Sequence, residues 1–487
     1  MIQQYRQLAL VGGGHAHLAT IHAIADLKAA GIAVTVIDPV PQLHYSGMMP
    51  AVLGGWVAPR AALIPTRDMV TAAGGTFRQE RVTRIAPDRS ASGPLYVETE
   101  QGQFRADRVS IAAGSRVGLL PGCPDHECAD RRSGPPMASP PGCPEPGGGT
   151  GTSGSRAAGS SAAIADREDS AGSRLPVCVG AKPISGILRL AELLDRFTNR
   201  DNSVNRDTSV SMMETPETAT GPLARVVKAW AAGLGPLRIV VVGGGPSGVE
   251  LAGNLARRLG RGSPGNAGGS PGNAGGKLQP VEIRIVTRAN GVLASMPEHA
   301  GAAAERSLTR LGVELVRERS ACRVEPGGLI LDDGRRLSAE IVVVATGLKP
   351  PVLVGGSEAL PAEDGFLQVD NELRAGELPL LGGGDSVRIQ GRRLARIGVH
   401  AIRQNSVLLH NIRSGFGLED DLISYDAPDH PLLIINPGDG TGIAVRGKRV
   451  IHNRAMFALK LRIDWAFVRS RGRRTRPALF RPPRHGK

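Results

Sequence analysis

Apolar runs that end in glycine dominate the pattern of this chain. The run Ile239–Val242 leads directly into three glycines, and an apolar helical pattern follows them: Gly243, Gly245 and Gly248. This order predicts a strand, a tight turn and the start of a helix. Glycines at this spacing allow a sharp turn, a close approach of the backbone to a pyrophosphate and tight packing of helix on strand. The stretch therefore predicts a dinucleotide-binding loop at a helix N-terminus.

A second loop of the same kind opens the chain. The apolar run Leu8–Val11 precedes Gly12 and Gly14, and the third glycine is replaced by His17. A ring at this position is expected to push the helix outward or to pack against the nucleotide. Small residues that end a strand follow each loop about a hundred residues later, which indicates a repeat of a whole domain. Two dinucleotide folds in one chain predict two bound nucleotides.

The second strand of each predicted domain ends differently. Ala33–Ile37 ends at Asp38, which would accept hydrogen bonds from a ribose diol or, alternatively, would be a turn or capping aspartate. Val281–Val286 ends at Thr287 and Arg288, with no acid to repel a 2′-phosphate. Arg288 would hold that phosphate or would simply be exposed. The choice between NADH and NADPH stays open.

These loops resemble those of the pyridine nucleotide-disulfide oxidoreductases, a superfamily of two-dinucleotide flavoproteins. Within it the chain looks most like the type II NADH dehydrogenases, and especially like the flavoprotein found fused to selenophosphate synthetase. The motifs that carry this likeness are GGGHAH at 12–17, HYSGMMP at 44–50 and GDG at 438–440. The resemblance implies an α/β fold of two Rossmann-like domains. The NAD domain would be inserted in the FAD domain, followed by a small C-terminal α+β region with a basic amphipathic helix.

The resemblance places FAD on the first loop and NADH or NADPH on the second. The second flavin motif is LLGGGDS at 380–386, and the helix after it would point at the flavin. The candidate FAD-binding residues are Gly12, Gly14, His15, Asp38, Ala113, Gly114, Gly384, Asp385 and Gly398. The candidate NAD(P)H-binding residues are Gly243, Gly245, Gly248, Thr287, Arg288 and Gly347. No metal site is expected, since His15 and His17 have no acidic or thiol partner nearby.

Glu250 is the candidate catalytic residue. In the type II dehydrogenase pattern the matching glutamate sits near the nicotinamide and flavin rings, where it would orient the nicotinamide or relay a proton. The alternative is an acid in the first turn of a helix, favoured by the dipole.

The electron acceptor is less clearly indicated. Quinone reductases of this branch carry an AQxAxQ-like pattern on the helix predicted at Arg396–Ile412. Ala401 matches that pattern, but Val399 and Arg403 replace the glutamines. Direct disulfide reduction is disfavoured because no cysteine precedes Cys123, and sulfide oxidation because none follows Gly347.

Composition divides the chain into five segments. We expect a first part of the FAD domain at 1–120, a low-complexity insert at 121–176, the NAD(P)H domain at 177–347, a second FAD part at 348–424 and a C-terminal region at 425–487. Cys123 and Cys128 fall at the insert and are expected to be exposed thiols. The chain starts without a signal peptide, so a reducing cytosol is expected.

The positive charge is concentrated at the C-terminal end. Residues 446–487 contain fourteen Lys and Arg and one Asp, whereas the whole chain carries a net charge of +14. Apolar and basic residues alternate over 455–476, a pattern that suits peripheral binding to an anionic membrane. A nucleic-acid tail and a simple packed helix are the alternatives, and nucleic acid is not expected because no folded reader accompanies the tail.

The sequence therefore predicts an FAD-dependent NAD(P)H oxidoreductase. Hydride would pass from NAD(P)H to the flavin, and electrons would then pass to a quinone or another small acceptor. Reduction of a selenium or sulfur species is a second enzymatic hypothesis. A flavin-bearing redox sensor that docks by its tail without turnover is an alternative of a different class. The oligomeric state is not indicated.

Overall fold

The computed structural model describes residues 5–88, 93–123, 143, 175–182, 184–197, 221–260, 280–355, 357 and 359–472. Most of the predicted insert, Cys128 and the arginine-rich end after residue 472 lie outside these residues.

The first domain alternates strands and helices as its apolar runs predict. Its elements are β1 Arg6–Val11, α1 Leu18–His22, α2 Ile24–Ala29, β2 Ile32–Ile37, β3 Leu43–His44, α3 Met49–Leu53, β4 Leu63–Ile64, α4 Thr66–Ala72, β5 Thr76–Arg78, β6 Val82–Pro87, β7 Leu95–Thr99, β8 Gly102–Ala106, β9 Arg108–Ile111 and β10 Arg116–Val117. The helix predicted after the first loop is broken: a 3-10 turn at His15–His17 precedes α1, and α2 follows. The apolar residues at 104–111 are divided between two strands, β8 and β9.

The second domain repeats this architecture. Its elements are β11 Val177–Gly180, α5 Ser185–Phe197, α6 Pro222–Ala231, β12 Leu237–Val242, α7 Pro246–Arg258, β13 Val281–Val286, α8 Glu298–Arg310, β14 Val313–Val316, β15 Ala321–Glu325, β16 Gly328–Leu331, β17 Arg336–Ser338 and β18 Ile341–Val344.

The chain then returns to the first domain and ends in a small region of its own. The elements are β19 Leu348–Lys349, α9 Val352–Gly355, β20 Ala362–Glu363, β21 Phe366–Val369, β22 Leu380–Gly382, β23 Val387–Ile389, α10 Gly398–Gly415, β24 Leu433–Ile435, β25 Gly442–Arg446, β26 Arg449–Asn453 and α11 Arg454–Gly472. The predicted hairpin of β24 and β25 is present. The third strand, β26, was not predicted because apolar and polar residues barely alternate in it.

Two five-stranded sheets form the centre of the fold. Their orders are β22-β9-β1-β2-β5 and β11-β18-β12-β13-β14. All neighbours in both sheets are parallel, so the strands are covered on both faces and are built from Val, Ile and Leu. Strand β22 joins the first sheet after the whole second domain has been passed. The predicted insertion of one dinucleotide domain in the other is therefore confirmed.

The cysteines correct the sequence analysis. Cys123 is bonded to Cys178 and Cys143 to Cys322, with Cα–Cα distances of 5.9 and 5.7 Å. Cys178 lies in β11 and Cys322 in β15, and both are buried. The expectation that Cys123 is an exposed thiol is wrong, because its sulfur reaches a core strand that lies 55 residues further along the chain.

No helix among the described residues is both long enough and apolar enough to cross a membrane.

Candidate functional site

Both nucleotide loops require glycine because backbone approaches backbone there. Gly12 has a φ of +89°, and a β-carbon would lie 2.5 Å from the carbonyl oxygen of Ala112. In the second loop Gly243 has a φ of +124°, and a β-carbon at Gly248 would overlap the carbonyl oxygen of Gly243. Gly245, by contrast, faces open space within 4 Å. A close-packed turn with one open glycine suits the approach of a pyrophosphate.

His17 takes neither of the two expected roles. Its ring is buried between the first loop and β9, with Nδ1 2.7 Å from Gly12 O and Nε2 2.8 Å from Ser110 Oγ. Burial lowers the pKa of His17 to about 4, so the ring is neutral. Because a carbonyl can only accept, Nδ1 carries the proton and Nε2 accepts from Ser110. The ring of His17 therefore links the first loop to β9 through its two hydrogen bonds.

Asp38 is tied to the first loop. Its Oδ2 accepts a hydrogen bond of 2.7 Å from the N–H of Gly13, and its Oδ1 accepts one of 2.9 Å from the N–H of Val40. Burial raises the pKa of Asp38, and the two N–H groups oppose that rise. The bond to Val40 is the turn role that was weighed as an alternative, and the ribose role stays a prediction.

The second flavin motif lies beside the end of β9. Gly384 donates its N–H to Gln404 Oε1 at 2.7 Å, and Ser386 donates its hydroxyl to Gly114 O at 3.1 Å. Asp385 accepts a hydrogen bond of 3.3 Å from Ser115 and forms an ion pair with Lys182. The structure therefore joins 384–386 to Gly114 and Ser115, and α10 begins at Gly398. Lys182 was not predicted as a site residue.

Glu250 lies in α7, directly beyond the second loop. The helix begins at Pro246 and has no acid in its first turn, so the alternative of a first-turn acid is wrong. The Oε1 atom of Glu250 instead accepts a hydrogen bond of 2.9 Å from the N–H of Asn436. Asn254, one turn on, donates to Glu250 O and to Asn436 O. Helix α7 thereby docks on the C-terminal region.

The C-terminal helix brings an ion pair to the same place. Lys460 Nζ donates to Asp464 Oδ2 at 3.0 Å and to Gly47 O at 2.7 Å, and Tyr45 Oη donates to Asp464 Oδ1 at 3.1 Å. Lys460 is 9% exposed and Asp464 4%. The prediction of a basic amphipathic helix placed these charges among its polar positions. The side chains of Lys460 and Asp464 point into the protein. This orientation depends on tertiary packing and could not be predicted from the sequence pattern.

The electrostatics of this cluster favour proton exchange near neutral pH. Burial raises the pKa of Glu250 to about 7; the charge of Lys460 and the N–H of Asn436 oppose the rise, and the charge of Asp464 adds to it. Burial lowers the pKa of His15 to about 4, and Asp385 partly offsets this. Perturbed carboxyl and imidazole groups that lie together are typical of functional sites.

Aromatic rings close one side of the cluster. The ring centroids of Tyr45 and Phe467 lie 4.6 Å apart, and that of His15 lies 5.5 Å from Tyr45 and 6.0 Å from Phe467. The Nε2 atom of His15 is buried and has no hydrogen-bond partner among the residues that the structure describes. A buried polar atom of this kind is expected to meet a bound group.

Other predicted residues lie away from this cluster. Thr287 and Arg288 follow β13 at the second loop; Thr287 is buried and Arg288 exposed. Gly347 follows β18 and faces open space. Of the acceptor pattern, Ala401 is buried and Arg403 points to solvent.

Residues 207–396 match the family model described as pyridine nucleotide-disulphide oxidoreductase. The match covers less than half of the chain and supports the predicted superfamily. It agrees with the expected oxidoreductase class and with the expected cofactor pair of FAD and NAD(P)H. The type II branch and the fused subgroup stay predictions.

Two curated relatives share part of the chain. Oxidoreductase phnG of Penicillium herquei is 32% identical over 124 residues, which cover 23% of this chain and 28% of the relative. The internal alternative NAD(P)H-ubiquinone oxidoreductase A1 of Solanum tuberosum mitochondria is 30% identical over 138 residues, 28% of this chain and 26% of the relative. The chain thus aligns with about a quarter of the length of these relatives.

Solved structures share the whole fold at low identity. NDH2 from Plasmodium falciparum has a TM-score of 0.63 at 12% identity, with 95% of this chain and 97% of that chain covered. The sulfide:quinone oxidoreductase of Aquifex aeolicus has a TM-score of 0.62 at 13% identity, with 96% and 91% covered. These likenesses confirm the two-domain α/β fold.

A pair of glycine variants tests the loop geometry. Gly248→Ala places a β-carbon on the carbonyl of Gly243 and should lower the unfolding free energy by about 2 kcal/mol or more. Gly245→Ala meets open space and should leave stability unchanged, while it weakens NAD(P)H binding about tenfold by blocking the pyrophosphate. Thermal unfolding and nucleotide titration check both. Equal stability losses in the two variants would contradict the assigned geometry.

Proposed function

We propose that this protein is an FAD-dependent NAD(P)H oxidoreductase whose reduced flavin passes electrons to a quinone or another small acceptor. The observation that carries the proposal is the meeting of four chain segments. The buried Tyr45 and Lys460–Asp464 pair form one cluster with the half-buried His15 of the first loop and Glu250 of the second-domain helix.

The residues present fit both nucleotides. Gly12, Gly14, Gly243 and Gly248 leave no room for a side chain, while Gly114, Gly245 and Gly347 border open space. The unpartnered Nε2 of His15 and the carboxylate of Asp385 supply polar atoms on the first-domain side. When bound, FAD supplies the two-electron chemistry, accepting hydride from NAD(P)H and releasing electrons to the acceptor.

The contribution of the chain is to hold a proton at a stated atom. A quinone that takes two electrons also takes two protons. The carboxyl of Glu250, with a pKa of about 7, can gain and lose its proton near neutral pH. Lys460 lowers the cost of ionising Glu250, and Tyr45 and Asp464 fix the lysine in place. This arrangement suits a general acid that is reloaded between turnovers.

Hydride transfer from NAD(P)H to the flavin is tested by the visible absorption spectrum of the protein. The purified protein should show a flavin spectrum, and NADH or NADPH added without oxygen should bleach it within seconds. A colourless protein, or a yellow one that neither nucleotide bleaches, would remove the basis of the proposal.

Glu250→Gln separates hydride transfer from proton delivery. Anaerobic bleaching should persist, since the variant keeps a hydrogen-bond acceptor for Asn436, whereas quinone turnover should fall about 100-fold. In the unaltered protein, turnover should be highest below pH 7 and fall as pH rises through 7, because the proton of Glu250 is lost there. The variant should lose that inflection.

Glu298→Gln is the matched control, because Glu298 is an exposed acid in the first turn of α8. It should leave both steps and the pH profile unchanged. Should Glu250→Gln turn over a quinone at the full rate with the same profile, Glu250 delivers no proton.

We also propose that α11 contacts an anionic membrane surface. Leu459 and Ile463 are 37% and 45% exposed, and Arg462 and Arg469 are exposed on the same helix. Apolar side chains flanked by arginines suit the headgroup layer. The exposed stripe is separate from the buried Lys460–Asp464 pair, so both can act in one helix.

Vesicle sedimentation tests the membrane proposal. The protein should sediment with phosphatidylglycerol vesicles and less so in high salt. Leu459→Ser with Ile463→Ser should reduce sedimentation about tenfold, since the two exposed apolar side chains proposed to enter the headgroup layer are lost. Ala458→Ser on the same exposed helix serves as control. Binding that is unaffected by the double change would exclude this face.

A further inference from the structure

The two dinucleotide domains carry different side chains at one structurally equivalent position, directly after the second strand of each sheet pair. Strands β2 and β13 pair in register with the strand before their loop, so the residue after each strand takes an equivalent place. These residues are Asp38 and Thr287. Asp38 donates its backbone N–H to Arg78 O at 3.1 Å, and Thr287 donates its own to Val316 O at 3.0 Å. The first domain therefore serves as an internal reference for the second.

The side chains at this position also face the same part of the loop. Asp38 accepts the N–H of Gly13, the middle glycine of the first loop. A β-carbon on Gly244, the middle glycine of the second loop, would collide with the hydroxyl of Thr287. The turn that follows is similar in the two domains. The N–H of Ala289 lies 3.4 Å from Thr287 Oγ1, as the N–H of Val40 lies 2.9 Å from Asp38 Oδ1. A carboxylate has been exchanged for a hydroxyl in otherwise matching surroundings.

That exchange changes what the second loop accepts. A carboxylate at this place binds the 2′-hydroxyl of an adenosine ribose and repels a phosphate on it. The hydroxyl of Thr287 carries no charge, and it donates its proton to Gly291 O at 3.3 Å, so it neither binds a 2′-hydroxyl as a carboxylate does nor repels a phosphate. The second loop therefore lacks the group that selects against a 2′-phosphate.

The next residue adds a positive charge. Arg288 is exposed and forms no ion pair within the part of the chain that the structure describes. Arg317 follows the adjacent strand β14, but its guanidinium is held by Glu305 at 2.9 Å. Glu318 is exposed in the same turn, where its N–H donates to Ala289 O. Arg288 is thus the cation that is left to bind a phosphate, and it can do so through two N–H groups.

We propose that Arg288 holds the 2′-phosphate of NADPH beside the uncharged Thr287 and that the chain prefers NADPH to NADH. This inference rests on the proposed function, since it names the nucleotide that the second loop takes.

Binding of nucleotide fragments tests the inference apart from turnover. Calorimetry on the purified holoprotein compares adenosine 2′,5′-bisphosphate with adenosine 5′-monophosphate. The bisphosphate should bind about tenfold or more tightly. Arg288→Ala should abolish that difference. Arg284→Ala, which removes an arginine of β13 that pairs with Glu282 and Glu314, should preserve it.

Thr287→Asp reproduces the side chain of the first domain. It should weaken the bisphosphate about tenfold or more and leave the monophosphate nearly unchanged. In anaerobic flavin reduction, its kcat/KM should shift toward NADH by the same factor. An unfolded variant would be recognised by thermal unfolding, and the Arg288→Ala measurement then decides alone.

The outcomes separate the two proposals. Equal binding of the two fragments, unaltered by Arg288→Ala, together with bleaching by NADH, would overturn the NADPH preference and leave the oxidoreductase standing. Tighter binding of the bisphosphate without bleaching by either nucleotide would support the 2′-phosphate site and overturn the proposed function.

Discussion

The position of α7 depends on backbone contacts that only glycine permits. At one end, Gly248 packs on the carbonyl of Gly243 and closes the second loop. One turn further, a β-carbon at Gly253 would overlap the carbonyl of Pro437 in the C-terminal region. The same helix face carries Glu250, which therefore reaches Asn436. Two close approaches thus set the nucleotide loop and the buried carboxyl in one rigid element.

The buried charges follow from this docking. Once the 436–438 turn lies on α7, the chain leaves it through β25 and β26 and enters α11 with Lys460 and Asp464 facing inward. Burying a charge costs several kcal/mol unless it is paired, and here each charge has partners: Gly47 O, Tyr45 and the opposite member of the pair. A charge pair that is so costly to bury beside Glu250 is more easily explained by a role in the reaction than by a contribution to stability.

The sequence predicted what local pattern determines. Gly-rich turns after apolar strands, Asp38, the 384–386 motif and the return to the first sheet all depend on short-range order or on a repeat, and the structure contains each of them. The side of α11 that faces inward could not be predicted, because its apolar residues occur on more than one face. The partners of Cys123 and Cys143 lie 55 and 179 residues away, a separation at which spacing carries no information. The role of His17 was predicted wrongly because its partner, Ser110, lies in β9, which the chain forms only after β6, β7 and β8.

The acceptor pattern shows how a missing motif can mislead. Arg403 stands where a glutamine was expected, yet it points to solvent, so its identity has little influence on the buried cluster. The neighbouring residue, Gln404, is 2% exposed and binds the N–H of Gly384. The aromatic side of the cluster comes instead from Tyr45 and Phe467, at opposite ends of the sequence. A surface assembled from such distant segments leaves no compact motif in the sequence, and under the proposed function Glu250 supplies its proton.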